Sequence, residues 1–239
     1  MNTKSFHNLK YSNPVIYKVL RKLGDPFLQY SKKKSNKKKN LQFVNNGVAV
    51  FADFCQAFYD SNTLFWLNGG TLLGAIREKG FIKHDMDIDV GVFDDIDFEC
   101  LNKELLKQGF KLQRRIEIYS NCKADEGQEL TYSKLGVSID IFVFTRIDEN
   151  FAYTHDFLDF IRSNEFDVFE KVRKITLPFK QLKEFRFLNM NVHIPENYTE
   201  HLAAHYGEDF MIPNPNWSTL TSKAASVVKG SIGLIRHSK

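Results

Sequence analysis

The chain has 239 residues, 43% of them hydrophobic, 14% aromatic and 26% charged, the composition of an ordinary globular protein able to bury one large core or two small ones. No run approaches the ~18 apolar residues of a membrane-spanning helix, and the opening MNTKSFHNLK lacks a hydrophobic signal segment, so a cytoplasmic location is expected. The formal charge of +4 is local: Lys32, Lys33, Lys34, Lys37, Lys38 and Lys39 all fall in SKKKSNKKKN, and without them 27 basic residues face 29 acidic ones.

In chain order, residues 1–40 are a polar, Lys-rich N-terminal segment with little patterning. Its lysines could hold an anionic membrane surface, at ~1 kcal/mol each, or an acidic polymer. The plainer reading is a solvated linker. Residues 41–239 form the folded domain. There Leu41, Val44, Val48, Phe51, Cys55 and Phe58 recur at intervals of 3 and 4 and predict a helix, weakened by Gly47.

LFWL (64–67) predicts a strand, followed by Gly69-Gly70 and a helix over TLLGAIRE. IDVGVF is a strand, and Asp94 with Asp97 resembles a capping box opening a helix through Leu101 and Leu105. FKLQRRIEIY, ELTYSKL and SIDIFVF predict strands, ITLPF and FRFLNMNVHI two more, and NYTEHLAAHY a last helix. Helix and strand signals intermingle without a repeat, so the expected class is α+β, a mixed sheet with packed helices. Cys55, Cys100 and Cys122 are odd in number and widely spaced, as reduced thiols rather than a disulfide framework or zinc site.

Three features carry chemistry. In KHDMDIDVGVF, strand alternation puts Asp87 and Asp89 on one face with Gly91, and Ile88, Val90 and Val92 on the other. Carboxylates about 6.6 Å apart repel by roughly 2.5 kcal/mol at an effective dielectric of 20. Solvent can offset that at an exposed edge; so can a hard divalent cation, which takes one or two carboxylates and fills its shell with water and phosphate oxygens. In SIDIFVF, Asp140 stands among apolar residues on both faces, where a carboxylate needs a metal or an ion-pair partner. In LNGGTLLGAIREKG, a strand ends in glycines and a helix begins, a place where free N–H groups attract phosphate and Arg77 could fork onto its oxygens, although a Gly-Gly turn is usually only a turn. His201 and His205 are four apart but lack the HExxH glutamate, and read as surface or core histidines; Trp66, Trp217 and Tyr206 read as core or pocket wall.

Together these features resemble the nucleotidyltransferase superfamily, and GGTLLGAIREKGFIKHDMDIDVGVF is similar to the signature of the LicD/fukutin phosphotransferases. The late YGEDFMIPNPNW is similar to that family's C-terminal Tyr-Gly segment with its Pro and Trp. The resemblance implies a nucleotidyltransferase-like mixed sheet with extra helices and strands. It implies catalytic and metal-binding roles for Asp87, Asp89 and Asp140, with Mg²⁺ or Mn²⁺ as cofactor and two ions expected. It places substrate-binding residues at Gly69, Gly70, Thr71, Arg77 and Asp85; beside them, Lys83 could mark a different donor or acceptor, and His84 adjoins the acidic strand and could touch substrate or be an ordinary loop histidine. Lys83 and Met86 stand where many relatives have Pro and Asp, which bears on the substrate.

The implied reaction moves a substituted phosphate (phosphocholine, phosphoribitol or phosphoglycerol) from a CDP-linked donor to a glycan or glycolipid hydroxyl and releases CMP, in cell-surface polysaccharide modification. The alternatives are a nucleotidyltransferase acting on a small molecule and, last, a binder of anionic polymers through the lysine cluster. No nucleic acid is expected, since no such motif is present and the rest of the chain is slightly acidic. Peripheral contact with the inner face of a membrane would come through Lys32–Lys39.

Overall fold

The computed structural model describes residues 14–120, 123–162 and 167–236. The chain divides into two compact units, one ending at Leu41 and one spanning Gln42–Lys239, and every strand belongs to the second. Helix α1 (Pro14–Asp60) begins far earlier than the stripe from Leu41 predicts. Then come β1 (Trp66–Leu67), α2 (Gly69–Arg77), β2 (Asp87–Phe93), α3 (Phe98–Lys107), β3 (Lys111–Ser120), β4 (Lys123–Lys134) and β5 (Val137–Arg146). The remainder is β6 (Phe151–Arg162), β7 (Asp167–Pro178), β8 (Leu182–Phe187), β9 (Met190–Pro195), α4 (Tyr198–Tyr206), a 3-10 turn (Thr219–Thr221), β10 (Ala225–Val227) and β11 (Ser231–Arg236).

The expected nucleotidyltransferase-like α+β arrangement does not form. The eleven strands make a mostly antiparallel sheet, with only four α-helices among the described residues, and six of the strands close into a barrel. The circuit runs β7–β11–β3–β4–β5–β6 and back to β7, antiparallel at every step. Closure leaves those strands without a free edge, which explains how runs of ten to twelve residues are accommodated. The sequence reading missed β6, β10 and β11, and without β6 and β11 no circuit can be drawn.

From β5 the sheet also extends outward through β2, β1, β9 and β8. Here lie the two parallel pairings, β2 with β5 and β1 with β9. Ile88, Val90, Val92, Ile139, Ile141 and Val143 are buried on one face of this extension, in the same core as Phe51, Phe54 and Phe58 of α1.

The buried stripe of α1 matches the predicted one only from Phe51 onward, through Cys55 and Phe58. Phe43, Val50, Phe51, Phe54, Ala57 and Phe58 are buried, whereas Leu41, Val44 and Val48 face out. Two apolar rows share the helix at compatible spacings, and the phenylalanine row has more area to remove from water. At α3 the cap is Asp97 alone, accepting from the Glu99 and Cys100 N–H groups; the Asp94 carboxylate accepts instead from the Thr145 hydroxyl. Cys55 and Cys100 are free thiols, and Cys122 lies outside the described residues. Among the described residues no helix is long and apolar enough to cross a membrane.

Candidate active site

The site is built where the extension leaves β5. Asp89 on β2 sits directly beside Asp140 on β5 in the parallel register, and Asp87 sits beside Ser138. Side chains of register partners share a face and neighbouring strands lie about 4.8 Å apart, so the fold brings together the carboxylates the sequence offers separately. The row continues: Asp140 pairs with Thr131 on β4, and Thr131 with Arg114 on β3. Four strands thus align Asp89, Asp140, Thr131 and Arg114 across one face.

Asp89 is also the docking point for the start of α2. Its carboxylate accepts from the Gly70 N–H at 2.9 Å, its own N–H donates to the Thr71 hydroxyl at 2.9 Å, and its carbonyl accepts from the Asn68 N–H at 3.1 Å. The glycines permit this approach. Gly69 has φ +49°, and a Cβ there would stand 2.7 Å from Asp89 Oδ2; one at Gly70 would stand 3.3 Å away. The first turn of α2 therefore holds the protein's own carboxylate, and the Gly70 N–H is already engaged.

Asp140 accepts from the Thr131 hydroxyl, which in turn accepts from Arg114 Nε at 2.9 Å. The Arg114 guanidinium lies 4.0 Å from Asp140 Oδ1 but is committed to Glu129, at 2.6 Å. Burial pushes the Glu129 carboxyl up to about 7, helped by the Asp140 charge and opposed by Arg114. Asp89 is held well above the carboxylate range by burial, then by the charges of Asp87 and Asp140. Asp85, half-buried near Gly70, is pushed up to about 6 by burial and by Asp87.

Burial is the largest cause of all three shifts and repulsion among the carboxylates adds to it, so the cluster favours a proton or a cation over bare charge. Among the described residues no three His, Cys, Asp or Glu side chains converge tightly enough to cage a metal by themselves. A donor set of hard, mutually repelling oxygens without such a cage fits an ion that takes one or two carboxylates and completes its shell from water and a phosphorylated ligand. It does not fit a structural zinc.

Asp87, Asp89, Asp140, Glu129 and Arg114 line a cavity of about 360 Å³, together with Asp156, His201, His205, Tyr206 and Trp217. His201 is buried, its Nδ1 3.0 Å from the Pro178 carbonyl, and His205 Nδ1 meets Ser222 Oγ at 3.1 Å. Burial lowers both to about 4, so they are neutral near pH 7. Tyr206 and Trp217 pack with ring centroids 4.4 Å apart and separate this cavity from a second of about 370 Å³. Arg77, His84 and Asp85 line that second cavity, and the Asp85 carboxylate also reaches Gly70 beside Asp89. Arg77 donates to the Phe210 carbonyl and pairs with Glu78, and Lys83 and His84 are exposed in the turn before β2.

Residues 62–197 match the profile of the family described as LicD/FKTN/FKRP, nucleotidyltransferase domain. The chain belongs to the LicD/FKTN/FKRP family. This LicD-family chain is 28% identical over 153 residues to the Rickettsia typhi protein RT0683, covering 62% of the chain and 41% of that relative. It is 26% identical over 164 residues to the mouse ribitol-5-phosphate transferase FKTN (68% of the chain, 32% of FKTN) and 26% identical over 154 residues to human FKTN (64% and 30%). The LicD-family chain thus spans less than half the length of these relatives. The matched segment contains the whole row from Asp89 to Arg114.

Arg114, Glu129 and Thr131 were not legible as site residues. One signal was present: Glu129 and Thr131 alternate onto one face of ELTYSKL just as Asp87 and Asp89 do in their strand. Nothing local says that this face meets Asp140.

Proposed function

We propose that this chain is a glycan phosphotransferase, moving a substituted phosphate such as phosphoribitol, phosphocholine or phosphoglycerol from a CDP-linked donor to a glycan hydroxyl and releasing CMP. The observation that carries the reading is the register of Asp89 beside Asp140, with Asp87 on the same face. Family membership and relatives named ribitol-5-phosphate transferase support it.

In this reaction the acceptor oxygen forms a bond to phosphorus, the bond from that phosphorus to the CMP oxygen breaks, and the acceptor proton is lost. Such transfer asks a protein mainly for positioning and charge neutralisation. Asp87 and Asp89 would hold one Mg²⁺ or Mn²⁺ and Asp140 would complete a second site, so that no ion needs three of these carboxylates; bound ions would supply neutralisation of the diphosphate charge. The remaining work falls to this chain's own groups. The Gly70 N–H fixes the Asp89 carboxyl, and the Thr71 hydroxyl fixes the Asp89 backbone N–H. Thr131 orients the Asp140 carboxylate, which would help deprotonate the acceptor hydroxyl. Arg114 is positioned to restrain the charge of Glu129 and Asp140. Arg77, Lys83, His84 and Asp85 would contact substrate from the second cavity and its rim.

The test is CMP release from CDP-ribitol, CDP-choline and CDP-glycerol with Mg²⁺ by wild type and by Asp87→Asn, Asp89→Asn and Asp140→Asn. Each variant should keep its fold and lose about a hundredfold or more in turnover. Normal turnover by the folded variants overturns the assignment. Pyrophosphate released from a nucleoside triphosphate, with no CMP from the CDP-alcohols, would make the protein a nucleotidyltransferase instead.

A further inference from the structure

A helix on a globular surface normally carries one apolar stripe toward the core and polar residues opposite. The part of α1 in the second unit carries two. Opposite the buried phenylalanines, Val44, Val48, Ala52 and Tyr59 recur at helical spacing and are exposed, Val44 at 63%, Val48 at 51% and Tyr59 at 81%. Isolated exposed apolar side chains are ordinary; a periodic row of them has no role in the fold.

The sequence says what chemistry covers this row. The run SKKKSNKKKN ends a few residues before Val44, and Lys33, Lys34, Lys37, Lys38 and Lys39 are all exposed. Those lysines account for the chain's whole positive excess, because the remainder is slightly acidic. An apolar row joined in sequence to concentrated positive charge suits a surface that is apolar beneath and anionic above. A second copy of this chain offers an apolar face but the same positive excess, and a nucleic acid offers negative charge but nothing apolar to cover the valines.

We propose that the outward face of α1 in the second unit docks this protein on an anionic membrane surface, with Val44, Val48 and Tyr59 entering the headgroup boundary, and that the lysine run preceding it in sequence adds attraction to the anionic headgroups. The inference is independent of the proposed reaction.

The experiment is co-sedimentation of the full chain with vesicles of phosphatidylcholine alone and of phosphatidylcholine mixed with phosphatidylglycerol. Binding is expected to the mixed vesicles only and should weaken with salt. Lys37→Gln/Lys38→Gln should weaken it about thirtyfold, the effect of two lysines near a charged leaflet. Val44→Ser/Val48→Ser should weaken it about tenfold while leaving circular dichroism unchanged, since both side chains are already in water. Three results overturn the proposal: no sedimentation with the mixed vesicles, equal sedimentation with both kinds, or full binding by the valine variant. Elution as a dimer that reverts to monomer in the valine variant also overturns it and assigns the face to self-association.

Discussion

At the scale of single residues, Asp89 organises the site. Its backbone and carboxyl receive or make bonds to Asn68, Gly70 and Thr71, while Asp87 and Asp140 crowd it with like charge. Without a cation this arrangement destabilises the fold whenever the carboxyls ionise. Asp89→Asn keeps an oxygen for the Gly70 N–H and removes the charge. The ligand-free variant should therefore match or exceed wild type in thermal midpoint. Mg²⁺ should raise the midpoint of wild type, by about 2.7 kcal/mol of stability at a hundredfold excess over its dissociation constant, and leave Asp89→Asn unmoved. The wild-type rise should be larger at pH 8 than at pH 5, because Asp85 and Glu129, at about 6 and 7, keep their protons at the lower pH. Calorimetry with and without the ion checks both expectations.

At the scale of elements, the site depends on how closely β1 and β2 approach. Trp66 pairs with Gly91 and is wholly buried against Phe93, Phe144 and Phe179. A Cβ at Gly91 would stand 2.3 Å from Trp66 Cε2, so the indole lies over the one position of β2 that has no side chain. Gly91→Ala must move Trp66 or β2. It should cost ~1–3 kcal/mol, read as a lower urea midpoint, and CMP release should fall with it, since β2 carries Asp87 and Asp89. Legibility at this scale was uneven. Alternation located β2 and β5, and their apolar face is buried as their residues require. For the first half of the α1 stripe the spacing rule admits either Leu41, Val44 and Val48 or Phe43 and Val50, and packing against a core rich in phenylalanine decides for the second.

At the scale of the whole Gln42–Lys239 unit, β5 belongs to two structures. Its earlier residues pair with β4 and β2, its last two with β6, and the cavity opens where barrel and extension part. Two histidines in the lining of that cavity set a pH response. His201 and His205 protonate only near pH 4 when folded but near 6.5 when unfolded, so the stability they contribute is present above pH 6.5 and lost as the pH falls toward 4. Asp85 and Glu129 act in the opposite sense: their contribution is present below the ordinary carboxylate range and lost as the pH rises through 6 to 7. His201→Gln separates the two. Between pH 6.5 and 4.5 the variant should lose about 2 kcal/mol less stability than wild type in urea unfolding, and an equal loss in both would assign the acid sensitivity elsewhere.

By itself the sequence determined the chemistry on offer: two aspartates on one strand face, a third inside an apolar strand, glycines opening a helix, and lysines in one short run. These are local facts, set by a two-residue alternation and by composition. Only the tertiary structure decided that Asp89, Asp140, Thr131 and Arg114 form one row, that the sheet closes into a barrel rather than staying an open mixed sheet, and that Val44 and Val48 face outward. Each of those depends on register or packing between segments far apart in the chain, and no local period encodes which distant strand will lie beside which.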